Sequence, residues 1–210
     1  MALDDRALVD LPAAQSYLNV TGASDDPMIE AAINRASELC ESWCNRSLKQ
    51  RTLTALRMRG PRWPATRLFP RAVPIKASSA ITVTVDGDAQ TVWRTEADGD
   101  PADFDVILGA LDPEGLNAPD HLYRAEGWGA TTSDNPYNVL LTYTGGFATI
   151  PDQLQQACLY VVQKLFRDQQ KQLADVVAIN TPVGGMTLLD SAIPRIAQVL
   201  LQPYRLMTVA

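Results

Sequence analysis

The spacing of apolar side chains changes twice along the chain, and this limits the architecture more than any other feature. Between residues 26 and 45 apolar residues recur every three or four positions, as in an amphipathic helix. From about Lys49 the period is two, which is typical of half-buried strands. After Ile150-Pro151 the helical period returns and continues to about Leu173. This order predicts an α+β fold in which helical ends enclose a β-rich insertion.

We expect three segments with boundaries at 1–48, 49–146 and 147–210. The first and third segments are predicted to form one helical domain, a scaffold of two long helices plus short terminal helices. The middle segment is predicted to form one inserted antiparallel β sheet or small barrel. Asp10 and the pair Asp25-Asp26 are expected to cap the two N-terminal helices, because a carboxylate accepts the free N–H groups of a first turn.

Turn residues divide the insertion into short strands. Asp86-Gly87 has the composition of a hairpin turn, so the strand before it is expected to pair with a strand at 91–94. Four prolines between residues 61 and 74 favour an extended connection there. Strands are expected at 51–59, 80–85, 91–94, 104–108, 121–124 and 139–143.

Charge is strongly segregated along a chain whose net charge is −6. Residues 46–85 contain nine bases and no acid, whereas residues 86–135 contain twelve acids and two bases. A basic surface of this kind suits phosphate or an acidic partner. The same pattern is also consistent with two neighbouring blocks that compensate each other locally, so both interpretations stay open.

The sequence lacks the residues that several classes of catalytic and metal site require. The single histidine, His121, excludes zinc sites built on several histidines, and neither a phosphate-binding glycine motif nor a nucleophile elbow occurs. Cys40 and Cys44 lie on the apolar side of a helix and are expected to pack in the core. The run 98–105 holds four carboxylates, which suits calcium or a solvated turn. We therefore expect no enzyme, and we assign no catalytic, cofactor-binding or metal-binding residue.

The apolar stretches also fall short of the roughly 20 residues of a membrane helix. The first residues carry acid where a secretory signal would carry base, and no apolar signal core follows them. We therefore expect a soluble chain, made in the cytoplasm, without a membrane partner.

The two ends of the chain together resemble a known family. The N-terminal part reads LPAAQSYL at residues 11–18, DDPMI at 25–29 and CESWCNRS at 40–47. The later part reads YTGGF at 143–147, then Ile150-Pro151, a long helix and a closing run from Ile193-Pro194 to Tyr204-Arg205. Over roughly residues 8–50 and 140–206 the chain resembles the head–tail connector, or adaptor, family of tailed bacteriophages, prophages and gene transfer particles. The strand-rich stretch departs from the short all-helical members and is similar to the longer form with a β-rich insertion.

The resemblance implies a ring of twelve identical subunits beneath the portal protein of a DNA-filled capsid. Such a ring extends the DNA exit channel and receives the next tail or head-closure protein, and DNA passes through it without specific binding. The implied location is the head–tail junction of a virion or phage-like particle, after synthesis in the cytoplasm of the bacterial host. Two other functions stay open from the residues alone: a small ligand-binding or enzymatic domain, and a DNA-binding protein that uses residues 46–76.

Two groups of residues are candidates for partner contacts. The first lies in the basic stretch, where an aromatic side chain could pack on a partner or be buried under the sheet. The second is the tail 203–210, which is apolar apart from one arginine and either docks on a partner or folds back on its own subunit. The stretch 181–188 is expected to be a hairpin or a mobile loop. The candidates are Arg57, Arg59, Arg62, Trp63, Tyr204, Arg205, Leu206 and Met207.

Overall fold

A computed structural model of the chain describes residues 2–58, 65–76, 81–90, 92–93, 104–107, 120–128, 138–171, 178–181, 184–187 and 192–206. In chain order the elements are α1 (Leu11–Leu18), α2 (Asp26–Cys44), β1 (Arg51–Met58), β2 (Ala65–Leu68), β3 (Thr82–Val85), β4 (Asp88–Gln90), β5 (Val92–Trp93), β6 (Phe104–Ile107), β7 (His121–Trp128), β8 (Val139–Gly145), α3 (Asp152–Lys171), β9 (Ala178–Thr181), β10 (Gly184–Thr187) and α4 (Arg195–Leu201), with a 3-10 turn at Gln202–Tyr204. The predicted α+β class is confirmed.

The chain divides into two compact units. Met1–Lys49 and Thr149–Ala210 form one, which we call the helical unit, and Gln50–Ala148 form the other, the β unit. In the helical unit, α2 packs against α3 and α3 packs against α4. No helix in the described ranges is long and apolar enough to cross a membrane.

The caps of the two N-terminal helices differ from each other. The Asp10 carboxylate accepts the backbone N–H of Ala13 at 2.9 Å, as its sequence position predicts. Asp25 is the N-cap of α2 but makes no side-chain cap bond, so the expected capping is wrong at this helix. Its backbone has ψ near −3°, outside the extended conformation from which a cap side chain reaches the first turn. The neighbouring Asp26 carboxylate instead accepts a hydrogen bond from the Gln15 side-chain amide at 2.6 Å.

The core of the helical unit consists of small and aliphatic side chains on α2 and α3. The Ser37 hydroxyl is fully buried with them, and it donates to the Ile33 carbonyl at 2.8 Å and accepts the Leu8 N–H at 3.0 Å. This bond ties the N-terminal segment to α2. Leu165 falls on the apolar stripe of α3 by spacing but is only half-buried, near the exposed C-terminal end of that helix. Fully buried members of the core include Ile29, Ile33, Ala36, Cys40, Cys44, Leu154, Cys158, Val161 and Val162.

The described β unit contains two four-stranded sheets, where one sheet or barrel was expected. Their strand orders are β1-β8-β3-β4 and β2-β7-β6-β5, and every pairing is antiparallel except that of β5 with β6. Asp86 and Gly87 both have positive φ angles, 52° and 98°, which is the geometry of a two-residue hairpin turn. Such a turn places Asp88 directly opposite Val85, so the returning strand is β4 and not 91–94. Residues 92–93 belong to the second sheet instead.

The strand β8 organises the first sheet. Val139, Leu141 and Tyr143 alternate along it as buried residues, which is the period of two that the sequence shows. At its end a Cβ atom on Gly145 would lie 2.1 Å from the Ala72 carbonyl oxygen, so only glycine fits there. The Tyr143 hydroxyl accepts the Ala72 N–H at 2.8 Å and holds the connecting segment against this strand.

The stretch 181–188, expected as a hairpin or a mobile loop, takes part in a two-stranded antiparallel hairpin. In it Thr181 pairs with Gly184 and Ala178 with Thr187. Both strands belong to the helical unit.

Candidate subunit interface

The last described residues lie on their own helical unit. Pro203 ends α4 in the 3-10 turn, and the Tyr204 hydroxyl then donates to the Gln153 side-chain oxygen at 3.3 Å. The Arg205 guanidinium lies 5.0 Å from the centre of the Trp43 ring, within the range of a cation–π interaction. The structure thus places Tyr204 against α3 and Arg205 against α2, both within the helical unit.

Leu206 closes the end of α2. Its N–H donates to the Cys44 carbonyl at 2.9 Å, which is one of the last carbonyls of a helix that lack an intrahelical donor. The described part of the tail therefore folds back on its own subunit. Met207 lies outside the described residues, and docking of the tail on a partner stays a prediction.

The helix α4 presents two large aliphatic side chains to solvent. Ile196 and Val199 are 51% and 66% exposed, whereas Ala197 and Leu201 are buried. The three-residue spacing places the exposed pair on one side of the helix. An amphipathic helix normally buries its apolar stripe, so periodicity alone predicts that Ile196 and Val199 face inward, and their exposure was missed. The signal was available in the small Ala197, which allows α4 to pack closely through its other side.

A groove of about 320 Å³ lies in the same unit, between the N-terminal segment and the start of α3. Asp4 and Asp10 are exposed there, and the Lys49 ammonium donates to the Ala7 carbonyl at 3.0 Å. Hydrogen bonding with the Asp5 side chain and with the Arg6 N–H lowers the pKa of Asp4, so this carboxylate stays ionised to lower pH than an ordinary aspartate. The groove is lined by Leu3, Asp4, Ala7, Leu8, Val9, Asp10, Ala13, Lys49, Ile150 and Gln155.

The basic stretch is only partly described. Arg57 is exposed on β1, at one end of the sheet order, and pairs in register with Leu140, which is 36% exposed. Arg59, Arg62 and Trp63 lie outside the described residues. Several of the remaining bases interact with other groups of the protein. These are Arg46, Lys49, Arg51, Arg67 and Lys76.

Basic and acidic blocks meet within the second sheet. The register places Arg67 of β2 and Asp105 of β6 on either side of Tyr123 of β7. At least one base from 46–85 and one acid from 86–135 thus share one sheet, which is consistent with local compensation. Of the acidic run 98–105, for which calcium or a solvated turn was expected, residues 98–103 lie outside the described part of the chain.

The thiols belong to the core. Burial raises the pKa of the Cys44 thiol to about 11. A hydrogen bond with Cys158, together with burial, raises that of Cys40. All three free cysteines are buried and shielded from solvent, and the raised pKa values make Cys40 and Cys44 poor nucleophiles. His121 is likewise buried, with its ring 5.4 Å from that of Phe69. Among the described residues no group of three or more His, Cys, Asp and Glu side chains could hold a metal ion.

Comparison with known proteins identifies the fold. No protein-family model matches the sequence, and no curated protein matches it significantly. Two solved structures match over 100% of this chain: the neck of an empty gene-transfer-agent particle computed with C6 symmetry, and the neck of a native particle computed with C12 symmetry. Identities are 16% and 15%, TM-scores 0.55 and 0.57, and 95% and 94% of the neck chains are covered.

The chain has a head–tail connector-like fold. The resemblance inferred from the two ends of the sequence is thereby confirmed for the fold. The match spans the whole chain, so the strand-rich middle is part of this connector-like fold.

Proposed function

We propose that this chain is a structural head–tail adaptor of a tailed phage or phage-like particle. The observation that carries the proposal is the likeness of the whole chain, β unit included, to the neck chains of gene-transfer-agent particles. One of those necks was computed with C12 symmetry. The proposed assembly is accordingly a ring of twelve copies located at the head–tail junction.

In this proposal the ring lies beneath the portal protein, extends the DNA channel and receives the next tail or head-closure protein. The net charge of −6 supports a channel that DNA traverses without specific binding, because tight binding to phosphate depends on cationic contacts. The proposed ring catalyses nothing, and the buried thiols offer no exposed nucleophile. The tail beyond Leu206 is the proposed contact to the portal or to a neighbouring adaptor.

Electron microscopy and gene deletion together test this function. The purified full-length protein, alone or mixed with the portal protein, should form rings of about twelve copies in electron micrographs. Particle preparations from cells that lack the chain should contain DNA-filled heads without tails, and the chain supplied from a plasmid should restore joined particles. Two results together would overturn the proposal: the purified protein stays monomeric with and without portal protein, and cells that lack the chain still produce normally joined particles.

A further inference from the structure

The outward face of α4 carries apolar surface that its own chain does not cover. Two of the large exposed hydrophobic side chains in the described ranges, Ile196 and Val199, lie one helical turn apart on this short helix. Pro203 follows them on the exposed end of the same segment. Contiguous apolar surface of this kind marks a contact site more often than isolated exposed residues do.

The groove at the N-terminal segment offers an apolar lining of sufficient volume. Its floor is made by the buried residues Ala7, Leu8 and Val9, and half-buried Leu3 and Ile150 contribute further apolar lining. Its volume of about 320 Å³ accommodates the seven side-chain carbons of an isoleucine and a valine. The groove is therefore suited to two aliphatic side chains that project from a helix.

The N-terminal segment that lines the groove and the C-terminal segment contact different sides of α2. The N-terminal segment is held at Asn34, whose side-chain oxygen accepts the Asp4 N–H at 2.9 Å. The C-terminal segment is held at Trp43 through Arg205. Asn34 and Trp43 are nine positions apart, which at 3.6 residues per turn is half a turn around the helix. Two different surfaces on different sides of one subunit are what a head-to-tail ring of identical copies requires.

The charges of the two surfaces are also complementary. Residues 192–206 contain Arg195 and Arg205 and no acid, and Arg195 is exposed next to Ile196. The segment 2–10 contains three aspartates against one arginine. Even with Lys49 included, the groove side keeps a net charge of −1, so a copy that presents α4 meets the opposite charge.

We propose that α4 of one copy inserts Ile196 and Val199 into the N-terminal groove of the next copy, with Arg195 beside Asp4, and that this contact joins neighbours in the ring. The inference rests on the proposed function in one respect, because it assumes that the neighbour in the ring is a second copy of this chain.

Substitution of the exposed aliphatic residues in the full-length protein tests the contact. Val199→Asp should weaken self-association, measured by sedimentation velocity, by about tenfold or more, because it places a carboxylate in an apolar groove. Gln169→Asp adds the same charge at an exposed position of α3 and should leave self-association within about twofold of wild type. Thermal unfolding followed by circular dichroism verifies that both variants fold.

A charge exchange separates this contact from a general effect on folding. Arg195→Glu and Asp4→Arg should each reduce ring formation, and the double variant should recover it. If the wild type forms rings and Val199→Asp forms them equally well, the contact is overturned and the adaptor function is left intact. The same conclusion holds if Val199→Asp keeps the rings but loses portal binding, because α4 would then contact the portal protein and not a neighbouring copy. A wild-type protein that forms no rings either alone or with portal protein would contradict both.

Discussion

At the scale of single residues, the close approach of Gly145 to the connecting segment is the most restrictive feature of the β unit. The Ala72 carbonyl oxygen would lie 2.1 Å from a Cβ at this position, and the Tyr143 ring would lie 2.8 Å from it. Gly145 also forms a β-bridge with Ile75. The obstructing atom is backbone, and the hydrogen bond to the Tyr143 hydroxyl holds it in place, so a side chain cannot be accommodated by a rotamer change.

Gly145→Ala should therefore lower the free energy of unfolding by about 1–3 kcal/mol, as overpacking in a close-packed region does. Urea titration followed by circular dichroism measures the change. Thr144→Ala at the preceding position removes a hydroxyl that bonds Thr52 on the exposed face, and it should cost less than about 1 kcal/mol. Equal losses in the two variants would show that the close approach to Ala72 is unimportant for stability.

At the scale of elements, local chemistry predicted helices better than sheets. The ends of α2 could be predicted within about a residue because Pro27 starts a helix, and Asn45 adopts the left-handed conformation that ends one. The division into two sheets could not be predicted, because β2 pairs with β7 across more than fifty residues and no local sequence pattern identifies β7 as its partner. The outward face of α4 was missed for a related reason, since spacing shows that a face is apolar but not what covers it.

Burial along α3 gives a graded prediction for the helical scaffold. Leu154 is fully buried, so Leu154→Ala should destabilise the protein by about 2–5 kcal/mol. Leu165 is half-buried, and Leu165→Ala should cost less, about 1–2 kcal/mol, because less apolar area is lost. Denaturant titrations of both variants measure the difference. If Leu165→Ala proved the more damaging, the assignment of the core along this helix would be wrong.

The basic stretch at residues 46–85 leads to a prediction about assembly and not about stability. Reversal of Arg57, Arg59 and Arg62 to glutamate should impair assembly onto the particle and leave the monomer folded, because the expected role of these charges is in contacts between proteins. Reversal of Arg35 and Arg167, both exposed in the helical unit, serves as the control. Normal assembly of the triple variant, combined with loss of DNA binding in a low-salt mobility-shift assay, would favour the DNA-binding alternative.

At the scale of the whole molecule, an adaptor must hold its own subunit together and still offer surfaces to neighbours on several sides. The C-terminal segment illustrates how one stretch of chain can serve both purposes. Tyr204, Arg205 and Leu206 bind Gln153, Trp43 and Cys44 of their own unit, which fixes the direction in which the chain continues. A partner contact made by the following residues would then start from a defined position, which lowers the entropy lost on docking.

Two truncations distinguish these purposes. Deletion of 207–210 keeps all three of these contacts, so the free energy of unfolding should change by less than about 0.5 kcal/mol while the protein fails to join the head. Deletion of 203–210 removes the contacts as well and should lower the free energy of unfolding by about 1–3 kcal/mol, the sum of a cation–π interaction and two hydrogen bonds. Urea titration measures stability, and sedimentation of heads with added protein measures joining. If the shorter deletion joins heads as well as wild type, residues 207–210 make no essential partner contact, and the tail serves only to close the end of α2.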